Sequence, residues 1–366
     1  MKSKSKMCKA VLFCVVLVVL ITGCKKEEEK KAPSKNNVEI VKEEKPVVED
    51  KKIIPENENL LTGIPDLMDA AIGKRPVAVM VNNIQAAMPQ YGVGKADIIF
   101  EIPVEGDVTR LMAMYADYTQ VPRVCAVRSY RYYYPALSEG FDAFYIHWGR
   151  DYTKLDYLDS LNLDRFDGIF DGNGLFGRDQ ARLDAGYDLE HTGYFDGPLF
   201  ASVVDSQGYR TDLAEDKKEP AFKFNGLEEQ VKPDGQDCTT VDINFGQQTA
   251  TFTYDADKQV YLKLINGTPH IDGNTNEQLS FTNLFVLETS ITVRDEYGHK
   301  EIDWTGSPTA TGYYISNGSV QKIHWMKTDG KEKSRLVFYD VNGEELSINR
   351  GKSYIALNYP NQIIFE

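Results

Sequence analysis

Inside an otherwise apolar stretch, residues 96–131 (ADIIFEIPVEGDVTRLMAMYADYTQVPRVCAVRSYR), stand Glu101, Glu105, Asp107, Arg110, Arg128 and Arg131. Charges among strand-forming residues are costly to bury unless they pair with one another or meet a ligand. Paired carboxylates do the work of glycoside hydrolysis, and Glu101 and Glu105 invite that reading. Four residues along an extended strand span about 13 Å, whereas the two-carboxylate mechanisms need about 5–9.5 Å. A bulge at Pro103 would shorten the gap, and Asp97 or Asp107 could supply the second carboxylate. The alternative gives Glu105 to Arg110 or Arg128 as a buried ion pair.

The arginines carry another chemistry. Their planar guanidinium recognises a carboxylate or phosphate through two parallel hydrogen bonds. Arg128 and Arg131 flank Ser129 where a strand hands over to a helix, whose first N–H groups also favour an anion. The ligand-binding candidates are therefore Glu101, Glu105, Arg110, Arg128, Ser129 and Arg131, with His147 at a strand end and His191 in a long loop. Either histidine could act as a general base, and a hydrogen-bonded structural role is the competing reading. Glu105 with His147 is the pair a hydrolase would use. No serine sits in a GxSxG elbow, and Gly172-Asn173-Gly174 lacks the lysine and hydroxyl of a phosphate loop. No Cys/His spacing suggests a metal site, and no cofactor is expected. Trp304 and Trp325 read as packing rather than as a sugar platform.

The elements that must position these residues follow from apolar patterning. Residues 76–83 form a buried strand ending in two amides, and 97–104, 108–117 and 121–128 read as further strands. A short helix is expected over 131–140, a strand over 141–148 ending at His147, and a helix over 152–161. Residues 162–195 read as a long structured loop, the kind that carries function, before a helix from Asp196-Gly197-Pro198 through Val204. The charged stretch 211–220 marks a domain boundary. Beyond it the pattern alternates, over 239–245, 249–254, 259–265, 281–293, 320–326, 334–340 and 353–358. Turn pairs such as Asn266-Gly267, Asp329-Gly330 and Asn342-Gly343 separate these strands. The expected fold is an α/β layered N-terminal domain (60–213) with a smaller, antiparallel β-rich C-terminal domain (214–366).

The N-terminus is the most specific signal. Lys2, Lys4, Lys6 and Lys9 precede an apolar run over residues 10–21, too short to span a bilayer and right for a secretory signal. The run ends in Leu20-Ile21-Thr22-Gly23-Cys24, which resembles a bacterial lipobox and implies cleavage before Cys24 and lipidation of its sulfur. Two acyl chains anchor firmly where one does not. The expected location is thus the extracytoplasmic face of the cell membrane, in a Gram-positive-type envelope. Residues 24–59 are rich in Lys and Glu and poor in aromatics, so they read as a disordered tether reaching about 30–35 Å. Loss of the signal's four lysines takes the net charge from −14 to −18, which argues against nucleic acid as a partner. Cys125 and Cys238 are the remaining cysteines, and their apolar flanks suit free buried thiols, with an inter-domain disulfide as the alternative.

With these residues in view, the chain resembles the YerB-like family of lipoproteins, built of domains of unknown function. The resemblance rests on RPVAVMVNN (75–83), MPQYGVGKADIIFEIPVEGDVTRLMAMY (88–115), VRSYR (127–131) and DAFYIHWG (142–149), and on Trp325, Asp340-Val341-Asn342-Gly343 and GKSYIAL towards the end. It departs at Cys125-Ala126, where the family usually has Gly-Pro, and at Glu190-His191-Thr192, where it often has Pro-His-Asn. The resemblance implies the two-domain fold and the envelope location but brings no catalytic mechanism. The leading expectation is a lipoprotein that binds an envelope ligand, or a cell-wall synthesis partner, through a polar cleft in the N-terminal domain. A wall glycan or peptide hydrolase using Glu105 or Glu101 with His147 is the second. A docking module using exposed strand edges is the third.

Overall fold

The computed structural model describes residues 54–366 other than residue 162. The expected signal peptide, Cys24 and the tether up to residue 53 lie outside the described residues. Val77–Asn82 is a run of β-branched and apolar residues without a glycine or proline, and it forms a fully buried strand. Ala78 and Met80 enter one core while Val77, Val79 and Val81 enter another, so both faces of this strand are covered.

Around it lies an eleven-stranded sheet. Its order is Gln236–Asp237, Ser319–Lys327, Gly306–Ser316, Asn283–Glu288, Ser353–Asn358, Ile98–Pro103, Thr109–Tyr115, Val77–Asn82, Phe144–His147 and Arg165–Asp167, with Leu336–Tyr339 added against Ser319–Lys327. The change of composition at 211–220 is therefore not a break in the sheet. Ile98–Pro103 from the first half pairs in parallel with Ser353–Asn358 from the second, Phe100 opposite Ile355. The fold is mostly sheet with few helices.

On one face the core takes Tyr133, Tyr134 and Leu137 of the helix Tyr133–Glu139 and Leu158 of the helix Leu155–Ser160. On the other it takes Phe200, Val203 and Val204 of the helix Gly197–Gln207, and Val241, Phe252 and Tyr261 from a second, six-stranded antiparallel sheet. Among the described residues no helix is long and apolar enough to cross a membrane.

Several elements differ from the sequence expectation. The strand expected over 121–128 is confined to Arg123–Cys125, which pairs with Gly193–Asp196 in a small separate sheet. Beyond it the backbone turns to serve two partners, with Asn82 N–H donating to the Ala126 carbonyl and Val127 N–H to that of Gly193. The long loop over 162–195 contains the strands Arg165–Asp167 and Phe176–Arg178 and a short helix, Gln180–Asp184, capped by the Asp179 carboxylate. The expected strand over 281–293 is three pieces, Ser280–Phe281, Asn283–Glu288 and Ile291–Val293.

Candidate functional site

The connection between Ile98–Pro103 and Thr109–Tyr115 is short and tight, and Gly106 (φ 66°) and Asp107 (φ 54°) both take left-handed backbone to close it. That turn presents Glu105 to Arg131. The Arg131 Nη2–H donates to Glu105 Oε2 at 2.7 Å and its Nε–H to Oε1, a two-bond fork. Arg110 stands behind them on Thr109–Tyr115, opposite Asn82 in the register. Its Nη1–H donates to the Ser129 carbonyl at 2.5 Å, and its Nη2 lies 3.9 Å from Glu105, beyond hydrogen-bond reach. His299 closes the far side, with Nε2 3.5 Å from Glu105 and Nδ1 2.8 Å from Asp295.

Electrostatics rank these groups. Burial alone would raise the Glu105 carboxyl, but the hydrogen bond and charge of Arg131, with the charge of Arg110, hold it below the usual carboxylate range. Arg131 is lifted in turn by Glu105 against its own burial. Arg110 has no such partner. Burial pushes it down to about 9, and repulsion from Arg131 and Arg128 adds to what Glu105 only partly offsets. Of the three arginines, Arg110 is the cation whose charge the protein compensates least.

Arg128 lies close enough to Arg110 to repel it, and its side chain, about one-third exposed, reaches Glu190 at 2.5 Å. Ser129 faces inward, its hydroxyl donating to the Trp148 carbonyl at 3.2 Å. Gly149 is needed there, because a Cβ would fall 2.3 Å from the Ser129 Oγ and the backbone has φ 101°. His191 is buried, and its Nδ1 accepts from the Asn82 amide at 3.1 Å.

His147 is fully buried at the end of Phe144–His147. Its Nδ1 lies 2.9 Å from the Gly149 carbonyl, which places the proton on that nitrogen, and Nε2 has no hydrogen-bond partner. The Tyr130 and Tyr145 rings pack against it at 5.1 and 5.5 Å. Burial pushes its pKa down to about 4, with Asp167 offsetting only part. Because the folded value lies below the unfolded 6.5, the unfolded chain binds this proton first. The protein should therefore lose stability as pH falls from about 6.5 towards 4, by up to about 3 kcal/mol from this group. Urea midpoints across that window should fall more steeply for the native chain than for His147→Gln, and parallel profiles would show that His147 titrates normally.

Glu101 corrects the sequence reading. It is almost wholly buried and does not share a cleft with Glu105. Its Oε1 accepts from Asn83 Nδ2 (2.9 Å) and Thr109 Oγ (2.7 Å), and its Oε2 from the Tyr354 hydroxyl (2.9 Å), with Lys263 Nζ at 3.2 Å. The two glutamates thus belong to separate networks, and His147 contacts neither. The structure brings together Glu105, Arg110, Ser129 and Arg131, with Arg128 at their edge; it holds Glu101, His147 and His191 in structural hydrogen bonds. Cys125 and Cys238 are both free and buried. Among the described residues, no group of three or more His, Cys, Asp or Glu could hold a metal. Lys263, Asp295 and His299 were not singled out from the sequence.

Fold and cluster together define a class: a sheet-dominated protein in which two sequence segments share one sheet beside an arginine-centred polar cluster. Residues 61–210 match the "Protein of unknown function (DUF3048) N-terminal domain" and residues 241–355 the corresponding C-terminal domain, and the chain belongs to this family and has its two-domain architecture. It is similar to YerB of Bacillus subtilis (strain 168), 28% identical over 290 residues that cover 78% of this chain and 81% of that one. The crystal structure of the Bacillus subtilis YerB protein superposes with a TM-score of 0.71 at 26% identity, covering 84% of this chain and 98% of the other.

Proposed function

We propose that this protein is a lipid-anchored, extracytoplasmic lipoprotein whose Arg110–Arg128 cluster binds an anionic group of an envelope ligand or of a cell-wall synthesis partner. The lipobox-like Leu20-Ile21-Thr22-Gly23-Cys24 supports the anchor, and the Bacillus relative carries the name of a candidate lipoprotein. The observation that carries the binding reading is Arg110. A buried cation is stable only when compensated, and the one nearby carboxylate is forked onto Arg131. A carboxylate or phosphate arriving beside Arg128 would supply the missing charge. The finer expectation of an α/β layered N-terminal domain belongs to the same reading.

Hydrolysis draws less support. Both Glu105 oxygens are engaged by Arg131, Glu101 is enclosed, and His147 is sealed from solvent. A hydrolytic carboxylate needs a water and a substrate within reach.

The test is binding of a short glycerol-phosphate oligomer and of muramyl dipeptide to the full chain in detergent, followed by calorimetry at two salt concentrations. Arg110→Gln should weaken binding about tenfold or more, roughly 1.4 kcal/mol, and Arg128→Ala should reduce both affinity and salt dependence. Glu105 keeps Arg131 in either variant, so folding should persist. Binding indifferent to both arginines, or muropeptide release that Glu105→Gln abolishes, would overturn the proposal.

A further inference from the structure

Beside the arginine cluster stands a further arginine that no carboxylate balances. Arg178 ends the strand Phe176–Arg178, in the long loop over 162–195 that the sequence marked as functional. It pairs opposite Gly193, whose carbonyl accepts from Val127 N–H at 2.8 Å, so Arg178 and Arg128 lie on neighbouring segments. The Arg178 guanidinium lies 4.1 Å over the Trp148 ring, and Trp148 N–H donates to the Arg128 carbonyl at 3.1 Å. That ring is packed tightly: a Cβ on Gly168 or Gly193 would come within 2.5 or 2.9 Å of it. Trp148 follows directly on Phe144–His147, and the parallel strands Val77–Asn82 and Arg165–Asp167 end on the same side. The carboxyl ends of parallel strands are where open α/β sheets hold their ligands.

The donors and charges say what this rim lacks. Arg178 gives its Nη1–H to the Leu189 carbonyl at 2.6 Å, while its Nε–H and Nη2–H have no acceptor among the described residues and are open to solvent. The free edge is the one with which Arg131 holds Glu105, a fork matched to the paired oxygens of a carboxylate or phosphate. Arg131 has Glu105 as its counter-charge, and Arg128 has Glu190 at 2.5 Å. Burial lowers the Arg178 pKa and the charge of Arg128 lowers it further, and no carboxylate among the described residues stands close enough to raise it. Four arginines thus face two carboxylates. The two unmatched charges, Arg110 and Arg178, are each within reach of Arg128 but not of one another.

We infer that the ligand of this rim carries two phosphate groups joined by a short uncharged linker, the first on Arg110 and Arg128 and the second on Arg178, which rests on the anion-binding reading of Arg110 and Arg128 given above. One monoanion cannot balance two cations that do not reach each other. Two separate anions would each be immobilised at its own entropic cost, whereas a linked pair meets that cost once. The second phosphate is held side-on by Arg178 Nε and Nη2, and the Trp148 ring fixes the plane of that guanidinium. A phosphodiester carries its charges in the chain itself. An acidic peptide hangs them on side chains, each of which costs about 0.5–1.5 kcal/mol to order, so the phosphodiester is the better match.

The test is calorimetry on the full chain in detergent with glycerol phosphate, which has a single phosphate, and with bis(glycerophospho)glycerol, in which one glycerol joins a pair of them. The second compound should bind about tenfold tighter or more. Arg178→Gln should erase this gain and leave the affinity for glycerol phosphate within about twofold. Arg178→Lys, which keeps the charge without the fork, should recover only part of it. Arg178 is partly exposed and its one hydrogen bond to protein goes to a backbone carbonyl, so both variants should keep the native urea midpoint. Equal affinity for the two compounds would overturn the proposal, as would a gain that survives Arg178→Gln. So would tighter binding of the dipeptide glutamyl-glutamate, which would put an acidic peptide on this rim. The anion site at Arg110 fails separately, if glycerol phosphate binds and Arg110→Gln makes no difference. Binding of neither compound would overturn both.

Discussion

Lys263→Met should destabilise the protein by about 3–5 kcal/mol, the usual cost of stripping one partner from a buried ion pair. Lys263 is fully buried on the strand Val260–Ile265, and its Nζ lies 3.2 Å from Glu101. Without it the Glu101 carboxylate keeps three neutral donors, Asn83, Thr109 and Tyr354, but no counter-charge at a site only 1% exposed. Glu101→Gln together with Lys263→Met should recover most of the loss, because the amide is neutral, its oxygen can still accept from Asn83 and Thr109, and its NH2 can donate to the Tyr354 hydroxyl. Urea unfolding of the two single variants and the double completes the cycle. A single variant within about 1 kcal/mol of the native chain, at an unchanged m-value, would mean that the pair is hydrated or already uncharged. The pair also joins the halves of the sequence, Glu101 and Lys263 coming from the two family domains. Its loss should therefore shift one cooperative transition rather than release a separately melting half.

Much of the strand framework was legible because its determinants are local. Val77–Asn82, Phe144–His147 and Ser353–Asn358 are apolar runs bounded by turn residues, and each forms where patterning put it. The Asn266-Gly267 turn takes left-handed backbone at both residues, φ 48° and 75°, as a two-residue hairpin demands. Gly306–Ser316 escaped notice because Gly306, Pro308 and Gly312 break its apolar pattern, and its register slips between Ser307 and Thr311.

The cluster was half legible. Residue type marked Arg110, Arg128 and Arg131, but the choice of Arg131 as partner for Glu105 depends on folding across 26 positions, which no local rule reaches. The buried lysines did leave a signal. Tyr261, Lys263 and Ile265 alternate inward on one strand, and Ile323, Trp325 and Lys327 on another, so period two alone puts both ammonium groups in the core.

Lys327 should make the protein more stable as pH rises. It is fully buried, its Nζ donates to the Ser334 carbonyl at 2.9 Å, and no carboxylate among the described residues lies within ion-pair distance. Burial, with repulsion from Lys217, pushes its pKa down to about 7 from 10.5, and Glu139 and Glu332 offset little. Below pH 7 both folded and unfolded chains carry the proton, and the folded state bears the full desolvation penalty. Between about 7 and 10.5 only the unfolded chain binds it, so stability climbs by up to about 1.4 kcal/mol per pH unit, several kcal/mol in all. Lys327→Met keeps the length of the side chain and removes the charge. At pH 6 it should be more stable than the native chain by a few kcal/mol, less about 1 kcal/mol for the Ser334 carbonyl left without a donor. Its advantage should shrink steadily towards pH 10. Guanidinium midpoints of both proteins across that range decide the matter, since other titrating groups cancel in the difference. A difference that stays constant with pH would show that Lys327 keeps its proton, so that solvent or a carboxylate reaches it in the folded protein.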